Sequence, residues 1–111
     1  MIDHIAINVK NIEESASWYQ KNFGFSIQYI DDTWAMLELN GSKLALTIPD
    51  QHPNHIAICV QSLKDFPTND FKYHRDGSAY LYQNDPDGNV IEYICYPSEE
   101  KTEEWDNIHY P

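Results

Sequence analysis

The chain has 111 residues with 18 acidic against 7 basic side chains, a formal net charge of −11, and that balance excludes nucleic acid and anionic membrane surfaces as partners, since phosphate recognition needs clustered lysine and arginine. Its length fits one compact domain, residues 1–111, that buries roughly two-thirds of its unfolded surface without a covalent staple. The two cysteines, Cys59 and Cys95, lie in apolar strand-like runs suited to reduced thiols, no apolar run approaches the ~18 residues of a membrane span, and no basic leader precedes Ile2, so a cytoplasmic protein is expected.

Asp3 to Val9 reads as a strand with Ile5, Ile7 and Val9 on one face and His4, Ala6 and Asn8 on the other. Asn11 followed three residues later by Glu14 has the form of a capping box. Ile12, Ala16, Tyr19 and Phe23 then recur at helical spacing until Gly24 supplies the stop. Three strands are expected next: Phe25 to Ile30, Trp34 to Leu39 and, after the turn Asn40-Gly41, Lys43 to Ile48. Then the pattern restarts. Asn54-His55-Ile56-Ala57-Ile58-Cys59-Val60 repeats Asp3-His4-Ile5-Ala6-Ile7-Asn8-Val9 at an offset of 51 positions, and Ala35-Met36-Leu37 ahead of Gly41 echoes Ala79-Tyr80-Leu81 ahead of Gly88. The second copy is the shorter one, and Pro67 interrupts whatever replaces its helix. The expected fold is α+β, two βαβββ modules spanning 1–50 and 54–97. The second has a reduced helix and a shortened second strand, and an acidic tail at 98–111 reads as solvated.

Asp85-Pro86-Asp87-Gly88 carries the residues of a type I turn. Beyond it Val90, Glu92, Ile94 and Tyr96 share one strand face, and Ile91, Tyr93 and Cys95 share the other. Both faces are largely apolar, so a glutamate at 92 is expensive unless something pairs with it. Aligning the turn glycines sets Ala45 of the first copy on Glu92 of the second. His4, His55 and Glu92 make a set of two imidazoles and one carboxylate that suits a catalytic divalent ion with open positions, as in His₂Glu zinc sites or a two-histidine-one-carboxylate triad. The metal-free alternative is that each histidine is a hydrogen-bonded strand residue and that Glu92 pairs with Lys43 or Arg75. His52, His74 and His109 match no motif position and read as loop or surface residues.

The twin His-Ile-Ala-Ile openings and the closing Asp85-Pro86-Asp87-Gly88-Asn89-Val90-Ile91-Glu92 together resemble the vicinal oxygen chelate superfamily of glyoxalase, bleomycin-resistance and dioxygenase proteins. The helix end Trp18-Tyr19-Gln20-Lys21-Asn22-Phe23-Gly24-Phe25 adds to a likeness that covers residues 1 to about 97. The resemblance implies an open, U-shaped mixed sheet and a homodimer. It also implies a small-molecule substrate and a divalent ion held by His4, His55 and Glu92, with manganese, iron, nickel and zinc all compatible. Glyoxalase I and methylmalonyl-CoA epimerase-like enzymes use Glu or Gln where this chain has Ala45. The ligand pattern is nearest to that of fosfomycin-resistance thiol transferases, although their phosphonate-contacting threonine is Ala6 here and their cationic loop is cut down to the region of His74, Arg75 and Ser78.

Substrate contacts are expected from Ala6, Trp34, Met36, Ala45, Cys59, Arg75, Tyr80 and Tyr82; no catalytic base is assigned. With no second carboxylate at Ala45, proton abstraction of the isomerase kind is disfavoured. The expectation is therefore a metal-dependent transferase or lyase acting on a small oxygen-rich molecule. The alternative is a metal-free module that sequesters a planar compound or antibiotic among Trp34, Met36, Tyr80 and Tyr82.

Overall fold

The computed structural model describes residues 1–97; the acidic stretch 98–111, and His109 with it, lies outside the described residues. In chain order the elements are β1 (Ile2–Asn8), α1 (Ile12–Phe23), β2 (Ser26–Ile30), β3 (Trp34–Leu39), β4 (Ser42–Thr47), β5 (His55–Cys59), a 3₁₀ turn at Leu63–Asp65, β6 (Lys72–Tyr73), β7 (Ala79–Asn84) and β8 (Val90–Cys95). The chain divides into two compact units, Ile2–Ala57 and Ile58 onward together with Met1. The expected α+β order of two βαβββ modules is therefore present, with the second helix reduced to a single turn.

In the first unit the strands lie in the order β2-β3-β4-β1. β1 runs parallel to β4, with Ala6 beside Ala45 and Asn8 beside Thr47, and β3 pairs antiparallel with β4. Their connection is two residues long because Asn40 and Gly41 both take positive φ, at 51° and 87°, the conformation an Asn-Gly hairpin turn is built for. The helix begins where the side chain of Asn11 accepts from the Glu14 amide at 2.8 Å, and it ends on Gly24 in the left-handed region. Its apolar stripe of Ile12 and Ala16 packs on Ala35, Leu37 and Leu46 to form the core of this unit.

In the second unit the order is β8-β7-β6. Asp85 builds the β7–β8 corner. Its backbone carbonyl accepts from Gly88 N at 3.0 Å, while Oδ1 accepts from Asp87 N at 2.9 Å and from Asn89 N at 2.8 Å. The core is Phe66, Ala79 and Cys95 with Val60, Leu63 and Phe71 packed around them. Pro67 follows Phe66 at the point where the missing helix would continue, and the second strand of this module is only two residues long.

The ladders correct one detail of the repeat. Val9 N donates to Thr47 O and Val60 N to Ile94 O, each at 2.8 Å, so Thr47 corresponds to Ile94 and Ala45 to Glu92, as the turn glycines predict. Met36 lies opposite Ala45 and Tyr82 opposite Glu92. Met36 is thus the counterpart of Tyr82, two residues beyond the Tyr80 suggested by the Ala-x-Leu echo. The β7–β8 connection is longer than the Asn40-Gly41 turn, and the added length slides the preceding strand relative to the sequence match.

Candidate metal centre

His4, on β1, and His55, the first residue of β5, are 9% and 7% exposed. Their rings meet edge to face with centroids 5.5 Å apart. Asn54 Oδ1 accepts from Asn8 N at 2.6 Å, which fixes the chain just ahead of His55 against the end of β1. Each imidazole is oriented through the same nitrogen. His4 Nδ1 lies 2.7 Å from Asp3 Oδ2, and His55 Nδ1 lies 2.9 Å from the Pro53 carbonyl. Carboxylate and carbonyl oxygens only accept, so Nδ1 carries the proton on both rings and the lone pair of the neutral form falls on Nε2. An outer acceptor that fixes the tautomer in this way is the usual companion of a metal-ligating histidine.

The neighbouring side chains are small. Ala6 is buried two residues from His4 on the same strand face, and Ala45, also buried, sits beside it on β4. Thr47 Oγ1 donates to Asn8 Oδ1 at 2.9 Å, so the polar groups at this end of β1 are satisfied. Met36 and Trp34 are half-buried on β3, and Trp34 stacks on Tyr29 at 4.7 Å.

Glu92 belongs to the second unit, at the middle of β8, and is 2% exposed. Its Oε2 lies 2.9 Å from Nε2 of His74. The hydrogen-bond partner found at Glu92 is thus His74, where Lys43 or Arg75 was the expectation; His74 does lie in the β6–β7 connection, as a loop reading places it, but its ring is turned to the buried carboxylate. Arg75 is exposed in the turn between β6 and β7. The His74 ring lies flat on Tyr80, centroids 3.8 Å apart and planes within 10°, and Tyr80 meets Tyr82 edge to face at 5.6 Å. Burial, and then the adjacent Glu92 and Tyr80, push the Tyr82 phenol well above its ordinary range, so Tyr82 stays a hydrogen-bond donor. His74 was hidden in the sequence because two-residue β6 shows no periodicity from which to place its register.

Cys59 is half-buried and Cys95 buried, both reduced. Burial, with Cys59 nearby, raises the Cys95 thiol, which makes it a packing residue. No helix among the described residues is long and apolar enough to cross a membrane.

Four likenesses to known proteins bear on the family and the fold. The family profile of the Glyoxalase/Bleomycin resistance protein/Dioxygenase superfamily matches residues 1–66. A protein of Bacillus subtilis (strain 168) named "Probable trivalent organoarsenical cleaving enzyme" is 25% identical, the match covering 94% of this chain and 86% of that one. Among solved structures, a hypothetical protein from Bacillus halodurans C-125 superposes with a TM-score of 0.73 at 18% identity over 92% of this chain and 98% of its own. Streptomyces coelicolor methylmalonyl-CoA epimerase does so with a TM-score of 0.67 at 19% identity, over 87% and 97% respectively. These superpositions establish the fold.

Proposed function

This chain belongs to the Glyoxalase/Bleomycin resistance protein/Dioxygenase superfamily, and from that premise we propose that it is a divalent-metal-dependent enzyme of lyase or transferase type acting on a small molecule. The ligand set proposed is His4, His55 and Glu92, a group suited to holding a metal ion. The observation that carries the reading is the matched orientation of the two buried imidazoles, each with Nδ1 committed to a fixed acceptor and the lone pair on Nε2. A buried carboxylate at the repeat position that Ala45 fills in the other module completes a neutral-imidazole and oxygen donor set of the kind divalent ions prefer. Manganese, iron, nickel and zinc all fit it.

A bound divalent ion supplies Lewis acidity, stabilising negative charge that develops on a substrate oxygen. The chain's own residues supply the rest. Ala6 and Ala45 leave room beside the histidines and offer no second carboxylate, so the site lacks the base an isomerase needs. Tyr82, held protonated, donates a hydrogen bond. Trp34, Met36, Cys59, Arg75 and Tyr80 are the proposed remaining substrate contacts. Addition of an external, already ionised thiolate that forms a C–S bond as a strained ring C–O bond opens, the released electron pair staying on the substrate oxygen, needs no protein base, which favours transferase or lyase chemistry. The likeness to the Bacillus subtilis protein adds trivalent organoarsenicals to the small oxygen-rich molecules as candidate substrates. The working form proposed is a cytoplasmic homodimer.

The test combines elemental analysis of the purified protein with turnover assays on epoxides plus thiol, α-ketoaldehydes, catechols and a trivalent methylarsenical. Each is run with and without added divalent metal, on wild type and on Glu92→Gln. Turnover that requires metal and falls at least about 100-fold in the variant is the expected outcome. Equal ligand binding by wild type and variant with no metal present replaces the enzyme by a sequestering module.

A further inference from the structure

We infer that His74 is a positioning residue for Glu92 and that Tyr80 sets the ring that does it; the inference rests on the reading of Glu92 as a metal ligand. The ladder between β6 and β7 places Lys72 opposite Tyr80 and Tyr73 opposite Ala79, so the next rung sets His74 opposite Ser78. The backbone there is braced. His74 N donates to Ser78 O at 2.9 Å, and Gly77 N closes the turn on His74 O at 3.0 Å. Asp76 Oδ1 accepts from Ser78 N at 2.9 Å and from its hydroxyl at 2.6 Å. From this fixed base the imidazole passes over the middle strand β7 to reach β8, lying flat on Tyr80 at 3.8 Å on the way.

Two soft torsions are thus held by two contacts, the stack and the 2.9 Å bond to Glu92 Oε2. A carboxylate only accepts, so Nε2 carries the proton that makes this bond. Glu92 has three side-chain torsions of its own, and fixing one of its oxygens fixes the plane in which the carboxylate presents itself. His4 and His55 have orienting acceptors adjacent in sequence, Asp3 and Pro53, whereas Glu92 takes its orienting donor from two strands away. Outer-shell partners of metal ligands control affinity through this kind of restraint. A residue that merely filled space beside Glu92 would affect unfolding but leave the affinity and geometry of a bound ion untouched.

The probe is Co²⁺, whose visible d–d absorption reports coordination geometry, titrated into wild type and into Glu92→Gln, His74→Ala, His74→Gln, Tyr80→Phe and Tyr80→Leu, with circular dichroism confirming folding. Loss of the orienting bond in His74→Ala should weaken Co²⁺ by about 10- to 100-fold and alter the d–d band, and the amide donor of His74→Gln should restore most of both. Tyr80→Phe keeps the stack and should match wild type; Tyr80→Leu should bind several-fold more weakly. A folded His74→Ala that binds Co²⁺ within about twofold of wild type, with an unchanged spectrum, overturns the inference while leaving the metal reading intact. If wild type and Glu92→Gln bind equally, or neither binds, the metal reading fails and takes the inference with it. Should His74→Ala not fold, the tyrosine pair decides: equal affinity for Tyr80→Leu and Tyr80→Phe overturns the inference.

Discussion

A carboxylate as buried as Glu92 is held against its own desolvation, and the imidazole of His74 offsets part of that cost through one charge-assisted hydrogen bond. In a metal-binding protein such a residue is tuned for the loaded state, so the apo protein carries the penalty. Glu92→Gln removes the charge, keeps an acceptor for His74 and preserves volume. Its thermal midpoint in a chelator should therefore equal or exceed that of wild type, since replacing a buried charge is often neutral or stabilising by about 1–4 kcal/mol. Under divalent metal at about 100 times the dissociation constant, wild type should gain about 2.7 kcal/mol and the variant far less. Calorimetry in both conditions checks the pair of statements. A variant that is the less stable protein without metal would make Glu92 a structural residue.

At the scale of elements, two of the aspartate-built turns, at Asp31 and Asp85, give the fold an acid-sensitive edge. The carboxyl of Asp31 is held well below its usual range, chiefly by the Tyr29 hydroxyl and then by the Thr33 amide and hydroxyl. Asp85 is lowered chiefly by the Asn89 side chain and then its amide. A carboxyl whose folded pKa is depressed stabilises the fold above its unfolded value of about 3.9, and that contribution disappears as pH falls through the folded value. Asp31→Asn and Asp85→Asn should be less stable than wild type near neutrality, with the gap narrowing below about pH 4. Urea midpoints taken from pH 7 to pH 2 check this, and a gap that stays constant with pH would assign the losses to turn geometry alone. Turns and caps of this kind were legible in the sequence because their chemistry is local: Asn11 with Glu14, Gly24, Asn40-Gly41 and Asp85 with Gly88 each act within a few residues. Two features were not legible, because each depends on a register that no local pattern encodes. The match of Ala79-Tyr80-Leu81 to Ala35-Met36-Leu37 slips by two residues once the ladders are seen, and His74 reaches Glu92 only because β6 ends one rung before it. The histidine pair was found because the repeat marks both members identically, whereas the partner of Glu92 belongs to one module alone.

For the whole molecule, the exposed face of the first unit and the net charge make opposing contributions to self-association. Ile5 on β1 is 45% exposed and Ile56 on β5 is 39% exposed, apolar strand residues whose cover a second copy of the chain would supply. A stable twofold pairing needs about 1,000 Å² or more of buried surface, contributed by the same patch on both partners. Each chain also brings a formal charge of −11, so two chains repel over distances that salt screens, the Debye length falling from about 30 Å at 0.01 M to about 8 Å at 0.15 M. If apolar burial drives the pairing, light scattering at micromolar protein should report twice the 13.0 kDa chain mass at moderate ionic strength. Dilution into low salt should then shift the mass toward the monomer, and Ile56→Asp should stay monomeric at both. Tightening of the dimer at low salt would mean that cross-chain ion pairs dominate, and a monomer mass under every condition would remove the dimer.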